Sequence, residues 1–156
     1  MRQTSIMSNT RMAIVATVLL TFFLFSCKKE TSCSGQYFKY NAWGNPKTPD
    51  SMYALAAYKT IYTFNHLSTY ERNYTEINLT SLAEGTYSLS RSGNVFSFID
   101  STSGGKSYVS TSGSFTISKN TGDRISGSFS VEAVNTLDST KRLSLTNGDF
   151  CSVPIR

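Results

Sequence analysis

The chain has 156 residues and a formal net charge of +5, with 13% aromatic and 16% charged residues. Charges this few and this scattered argue against a nucleic-acid binder, which needs a basic patch or stripe. The abundance of Ser, Thr, Gly and aromatic residues argues against a helical bundle or a disordered tail, and it favours a β-rich extracytoplasmic domain.

The first predicted element is a secretory signal peptide over residues 1–26. Arg2 and Arg11 begin it, residues 12–25 are almost wholly apolar, and no acid occurs before Glu30. As a helix the apolar run would span about 21 Å, whereas a bilayer core is about 30 Å thick, so the run is too short for a membrane span. Cleavage of this signal would lower the net charge to +3.

The apolar run ends in Leu-Phe-Ser-Cys at residues 24–27, which resembles the lipobox of bacterial lipoproteins. The resemblance implies that Cys27 carries a diacylglycerol and an N-acyl chain and becomes the mature N-terminus. Several acyl chains hold a protein far longer than one, because each buried CH₂ contributes about 0.8 kcal/mol. Residues 27–34 would then be a lipidated tether, and residues 35–156 are long enough for a single domain.

Two cysteines remain once Cys27 is lipidated, Cys33 just after the anchor and Cys151 near the C-terminus. In an oxidising compartment they form a candidate disulfide. The alternative is two free thiols, one in the tether and one in a strand.

Short stretches rich in Tyr, Phe, Val, Ile and Thr alternate with clusters of Gly, Asn, Asp and Ser from residue 35 onward. This pattern is typical of many short antiparallel strands. It predicts an all-β fold, an antiparallel sandwich-like domain or alternatively an up-and-down, calycin-like barrel. One segment, residues 51–59, has helix-favouring Ala and Leu, although its surroundings favour a strand. The predicted strands cover residues 36–43, 52–58, 60–65, 75–80, 86–90, 95–99, 107–110, 114–119, 124–133, 142–146 and 149–154.

A near-repeat predicts one hairpin in detail. Gly-Ser-Phe-Thr-Ile at 113–117 is echoed by Gly-Ser-Phe-Ser-Val at 127–131, with a turn signal at 120–122 between them. A register centred on Thr121 would place Phe115 opposite Gly127, and Phe129 opposite Gly113. Each ring would then cover the glycine across from it.

Nine tyrosines and one tryptophan are heavy use for this length, and most of them fall in the first half of the mature chain. Aromatic rings with a polar edge favour half-exposed surfaces and interfaces. Tyr37, Tyr40 and Trp43 form a candidate ligand platform. The alternative is that the tyrosines fill the wet edge of a β-core.

The C-terminal part carries three short motifs in order: Gly-Ser-Phe-Thr-Ile at 113–117, Ile-Ser-Gly-Ser-Phe at 125–129 and Leu-Thr-Asn-Gly-Asp-Phe-Cys-Ser-Val-Pro at 145–154. With Gly-Thr-Tyr at 85–87, this order resembles a family of small, uncharacterised lipoproteins from Bacteroidota. The resemblance covers most of residues 50–155. It implies a β-rich domain in the cell envelope, anchored to the outer membrane on its periplasmic or cell-surface face, with no assigned activity.

Three serines follow an aspartate and precede Met or Thr: Ser51, Ser101 and Ser139. Envelope proteins of the lineage that the chain resembles are often O-glycosylated at such sites. All three lie near predicted turns, where a glycan would be solvated.

No motif for catalysis or for a cofactor stands out. His66 is the single histidine and has no nucleophile signature beside it. The spacing of His, Cys, Asp and Glu predicts no metal site. We therefore expect a non-catalytic binding or structural module of the envelope, with the membrane and a glycan or envelope protein as partners. The alternatives are a glycan-binding lipoprotein beside a nutrient-uptake system and a hydrolase, whose paired carboxylates would meet only in the fold.

Overall fold

A computed structural model describes residues 33–66, 72–101 and 105–156. The predicted signal peptide, Cys27 and most of the tether lie outside these residues. The described chain forms ten strands and no α-helix, and it contains no helix that could cross a membrane. The strands are β1 Tyr37–Ala42, β2 Asn45–Lys47, β3 Ser51–Leu55, β4 Thr60–His66, β5 Arg72–Asn78, β6 Gly85–Ser88, β7 Val95–Asp100, β8 Lys106–Asn120, β9 Arg124–Asn135 and β10 Arg142–Pro154.

The strands form one antiparallel sheet in the order β2-β1-β10-β9-β8-β7-β5-β4-β3, with β6 paired to β8 beside this path. The all-β antiparallel prediction is confirmed. The sheet curls into a half-barrel, so the barrel alternative describes it better than two stacked sheets. Near the C-terminus Ile155 makes a parallel bridge to Ala54, and the Arg156 N–H donates to the Ala54 carbonyl at 2.8 Å.

Alternation of apolar and polar residues decides which face of the sheet is buried. In β7, for example, Phe96 and Phe98 are buried while their neighbours are only half-buried. We call the buried face the inner face and the other the outer face. The largest fully buried side chains are aromatic and aliphatic: Phe38, Phe96, Phe98, Phe115, Phe150, Ile61, Ile77, Ile117, Ile125, Leu143, Leu145 and Val131.

Two of the predicted interruptions are bulges within strands. Predicted strands 107–110 and 114–119 join in β8, where the register shifts between Ser110 and Ser112. Predicted strands 142–146 and 149–154 join in β10, where Asn147 has a φ of 51° beside a register shift. Residues typical of turns occur at both positions because a bulge, like a turn, needs backbone angles that few residues adopt. Such bulges bend the strand.

The helical alternative for residues 51–59 is wrong. Strand β3 ends at Leu55, three residues before the predicted end, and residues 56–59 form the turn to β4. Lys59 has a φ of 53° there, which a helix does not allow. The short strand β2 was not predicted, because its sequence Asn-Pro-Lys carries no strand-favouring residue.

The predicted register of the near-repeat hairpin is also wrong. Phe115 pairs with Phe129, and Gly127 pairs with Ile117. The turn covers residues 121–124, which moves the pairing next to it by three positions, and an extra residue in β8 between Ile117 and Lys119 moves it back by one. The apolar residues still share the inner face, because the shift is by two positions and preserves the side-chain alternation.

Rings do cover glycines in this sheet, but across β9 and β10 rather than across β8 and β9. Gly127 pairs with Phe150, and Gly148 pairs with Phe129. A Cβ added at Gly127 would lie 2.8 Å from the Phe150 ring, and one at Gly148 would lie 2.6 Å from the Phe129 ring. The missing side chains therefore provide the space in which these two rings pack.

Candidate binding face

The structure does not assemble the predicted platform of Tyr37, Tyr40 and Trp43. Tyr37 lies on the outer face, where its hydroxyl donates to Asp149 at 2.9 Å. Tyr40 lies three residues further along the strand, so its side chain points to the inner face, and it is only 3% exposed. Trp43 is 46% exposed at the β1–β2 turn and packs edge-on against Phe98.

Burial of Tyr40 leads to a prediction about alkaline stability. Burial raises the pKa of its phenol above the ordinary value of 10.0. The stabilisation linked to this group is therefore complete below pH 10 and is lost as the pH rises from about 10 towards the raised pKa. The melting temperature of Tyr40→Phe should consequently fall less steeply above about pH 10 than that of the wild type.

Thermal melts over a series of alkaline pH values measure this difference. The matched control is Tyr58→Phe, because the Tyr58 ring is 74% exposed in the β3–β4 turn. This substitution should leave the dependence of the melting temperature on pH unchanged. If Tyr40→Phe and wild-type protein lose stability with equal slopes, Tyr40 does not retain its proton in the folded state.

Four other rings line up on the outer face across three adjacent strands: Tyr53, Tyr62, Phe64 and Tyr74. We call this set the aromatic ladder. Tyr53 pairs with Tyr62 across β3 and β4, and Phe64 pairs with Tyr74 across β4 and β5. Ring centroids along the ladder lie 5.6 to 6.3 Å apart, and the planes of Phe64 and Tyr74 differ by 19°.

The ladder lies outside because alternate residues of the same strands build the core. Met52, Ala54, Ile61 and Thr75 are buried on the inner face, which directs their neighbours outward. All four ladder rings are half-buried. Cross-strand aromatic pairs stabilise a sheet, so the ladder has a structural role in addition to any role in binding.

A carboxylate lies within this apolar surface. Glu76 pairs with Tyr62 across β4 and β5, and it accepts a hydrogen bond from the Asn78 side chain at 2.9 Å. The pKa values of Tyr62 and Tyr74 are both raised, mainly by burial and then by the negative charge of Glu76. A hydrogen bond to Glu76 raises the pKa of Tyr74 further. At the other end of the ladder the guanidinium of Arg156 lies 4.7 Å from the Tyr53 ring centroid.

The ladder therefore combines apolar rings with hydroxyl groups, one carboxylate and one cation, which is a composition suited to binding. In the sequence, the ladder was indicated only by the crowding of tyrosines. Residues 62 and 64, and likewise 74 and 76, lie two positions apart on a strand and therefore share one face. Tyr58, in the same part of the sequence, lies in a turn outside the ladder. Tyr70 lies outside the described residues.

The two candidate disulfide cysteines are joined in the structure, with Cα atoms 5.7 Å apart. Cys151 is buried in β10, whereas Cys33 is exposed and its sulfur lies 3.3 Å from the Ser126 hydroxyl. Beside the bond is an open cleft of about 160 Å³, lined by Cys33, Lys119, Thr121, Arg124, Ser126 and Ser152.

The three candidate glycosylation serines differ in exposure. Ser51 is half-buried in β3, and the half-buried Ser101 donates its backbone N–H to Asn73 at 3.0 Å. Ser139 is exposed in the β9–β10 turn. Of the three, Ser139 has the most open surroundings for a glycan.

The single histidine takes part in a local contact between strands. The backbone N–H of His66 donates to the Asp50 carboxylate at 2.7 Å, and its ring nitrogen lies 3.7 Å from the same oxygen. Both side chains are about half exposed. Within the described ranges no three His, Cys, Asp or Glu side chains converge in a way that could hold a metal ion.

Comparison with known proteins gives one result. None of the curated proteins and none of the solved structures matches the chain. A family model, the domain of unknown function DUF6252, matches residues 50–154, from the residue before β3 to the end of β10. The chain therefore belongs to the DUF6252 family.

Proposed function

We propose that this protein is a lipid-anchored, non-catalytic module of the bacterial cell envelope that binds another envelope protein through the aromatic ladder. The observation that carries the proposal is the set of four half-buried rings on the outer face, with Glu76 beside Tyr62 and Tyr74. Tyrosines are enriched at protein–protein interfaces, where they combine a large apolar area with a hydrogen-bonding tip.

The arrangement of the rings favours a protein over a sugar as the ligand. The rings lie beside two charged groups, the carboxylate of Glu76, which pairs with Tyr62, and the guanidinium of Arg156, which lies 4.7 Å from the Tyr53 ring centroid. Tyrosine and arginine are both enriched at protein–protein interfaces, where phenol hydroxyls and charged groups suit the side chains and peptide groups of a partner. A glycan ligand is therefore the second candidate.

The proposed cellular location is based on the N-terminal sequence. The apolar run ending at Cys27 is too short to span a bilayer and has the order of a lipoprotein signal. A bond between Cys33 and Cys151 would require an oxidising compartment, which agrees with export. We extend the proposal to the outer membrane of a Bacteroidota cell, on the strength of the C-terminal motifs at 113–117, 125–129 and 145–154.

Photocrosslinking from the ladder tests the binding function. A photoreactive benzoylphenylalanine at position 62, in the full chain expressed in its host, should give one discrete protein adduct upon irradiation. Glu76→Gln in the same chain should weaken the adduct severalfold, because the carboxylate beside Tyr62 and Tyr74 loses its charge. Protease digestion and mass spectrometry identify the partner.

The control probe belongs at position 37. Like Tyr74, Tyr37 is an outer-face tyrosine whose hydroxyl bonds to a carboxylate, here Asp149, but it lies outside the ladder. Equal adducts from positions 37 and 62, or none from position 62, would contradict the protein partner. Binding to a glycan array that is lost in Tyr62→Ser and Tyr74→Ser would establish the second candidate instead.

A further inference from the structure

One end of the half-barrel brings together the disulfide, the C-terminus and two turns. Arg156 accepts a hydrogen bond at 3.0 Å from Ala56, in the β3–β4 turn. Ile155 donates to the carbonyl of Asp123, in the β8–β9 turn, at 2.7 Å. The cleft at the base of the latter turn is lined by Cys33 itself. We call this region the anchor end: Cys33, residues 56–59, residues 119–124 and Arg156.

The short chain before Cys33 limits how far the anchor end can lie from a lipid on Cys27. Cys33 follows Cys27 by six positions, and a fully extended chain spans at most about 3.6 Å per residue, or roughly 20 Å in all. The disulfide ties Cys33 to Cys151 in the sheet.

The exposed residues of the anchor end suit a phospholipid surface. Tyr58 is 74% exposed at the tip of the β3–β4 turn, between Ala57 and Lys59. Exposed tyrosines next to basic residues are typical of groups that settle among lipid headgroups. The exposed cations of this end are Lys59, Lys119, Arg124 and Arg156.

The acids at this end are fewer and partly engaged. Asp123 lies 3.9 Å from the Arg124 guanidinium and accepts a bond from the Thr121 hydroxyl at 2.6 Å. Glu84 accepts the backbone N–H of Asn120 at 2.9 Å. With the C-terminal carboxylate, three negative groups stand against four cations, and the tether adds two lysines, Lys28 and Lys29, and one acid, Glu30. The excess of positive groups favours contact of the anchor end with a negatively charged membrane surface.

We infer that the anchor end rests on the membrane, with Tyr58 and the surrounding basic residues among the headgroups of anionic phospholipids. This inference depends on the proposed lipid anchor at Cys27. It places the opposite end of the sheet, where Trp43 and Leu137 are exposed, away from the membrane, and it leaves the aromatic ladder open to a partner from the side.

Fluorescence quenching tests the orientation. The full lipidated chain is reconstituted into vesicles of phosphatidylcholine and phosphatidylglycerol that carry nitroxide-labelled headgroups. Wild-type protein reports from its native Trp43, and the variant Trp43→Phe/Tyr58→Trp reports from the anchor end. Emission from position 58 should be quenched several-fold more strongly than emission from Trp43.

Two charge-reversal variants test the lipid contact. Lys59→Glu/Lys119→Glu, placed in the position-58 reporter, should reduce its quenching severalfold, whereas Lys106→Glu/Arg142→Glu at the opposite end should not. Flotation with the vesicles tests the lipid anchor separately from the orientation of the domain. Protein that fails to float lacks the anchor, and both proposals fail. Protein that floats but is quenched equally at positions 43 and 58 keeps the anchor and refutes the orientation.

Discussion

Replacing Phe150 with Ala should lower the free energy of unfolding by about 3–5 kcal/mol, as expected for deletion of a fully buried ring. Phe150 is 1% exposed, and its ring lies 4.8 Å from that of Phe115 and 5.7 Å from that of Phe38. The ring also fills the space over Gly127. Truncation therefore removes contacts to three strands and leaves a cavity that the rigid sheet cannot close.

Denaturant unfolding of the variant beside two controls measures this effect. Phe64→Ala removes the same side chain from the half-buried ladder and should cost clearly less. Leu137→Ala, at a residue 96% exposed, should change stability by no more than about 0.5 kcal/mol. If Phe150→Ala costs no more than Phe64→Ala, the assignment of inner and outer faces is wrong.

Removing the disulfide should have an effect of similar size. Cys33 and Cys151 are 118 residues apart, and the chain-entropy estimate for a loop of this length is up to about 5 kcal/mol. Cys33→Ala is the preferred variant because Cys33 is exposed, so the substitution leaves the core intact, whereas Cys151 is fully buried. We expect Cys33→Ala to unfold at a much lower denaturant concentration than the wild type.

Reductant supplies the internal control for this prediction. Dithiothreitol should shift the wild-type unfolding curve towards that of Cys33→Ala and leave the variant's own curve in place. Superimposable wild-type curves with and without reductant, together with two titratable thiols in denatured, unreduced protein, would mean that the bond does not form.

Much of the fold follows from local pattern. Stretches of strand-favouring residues between turn-type clusters predicted where many of the strands lie, among them β7 and β9. The pairing of the near-repeat in β8 and β9 was correct, since a short turn joins two strands of matching period.

The register and the bulges could not be predicted from the same pattern. Extra residues in β8 and β10 displace one strand against the next, and the energy that selects them comes from distant packing. Phe150 over Gly127 is one such contact, and it involves a third strand that the hairpin sequence does not contain.

The candidate site shows the same limit. The crowding of tyrosines in the sequence indicated an aromatic surface, but not which rings would form it. Tyr37 and Tyr40 are three positions apart on one strand, so they lie on opposite faces. The ladder instead depends on how β3, β4 and β5 pair, which places Tyr53 beside Tyr62 and Phe64 beside Tyr74. Pairing of this kind is set by tertiary structure.

Mass spectrometry of the protein taken from its native membrane, without reduction, tests the central proposal most directly. The proposal of a lipid-anchored envelope module predicts an N-terminal peptide that begins at an acylated Cys27. It also predicts a single linked peptide pair that contains Cys33 and Cys151. A chain that still begins at Met1, or an unmodified Cys27, would contradict it.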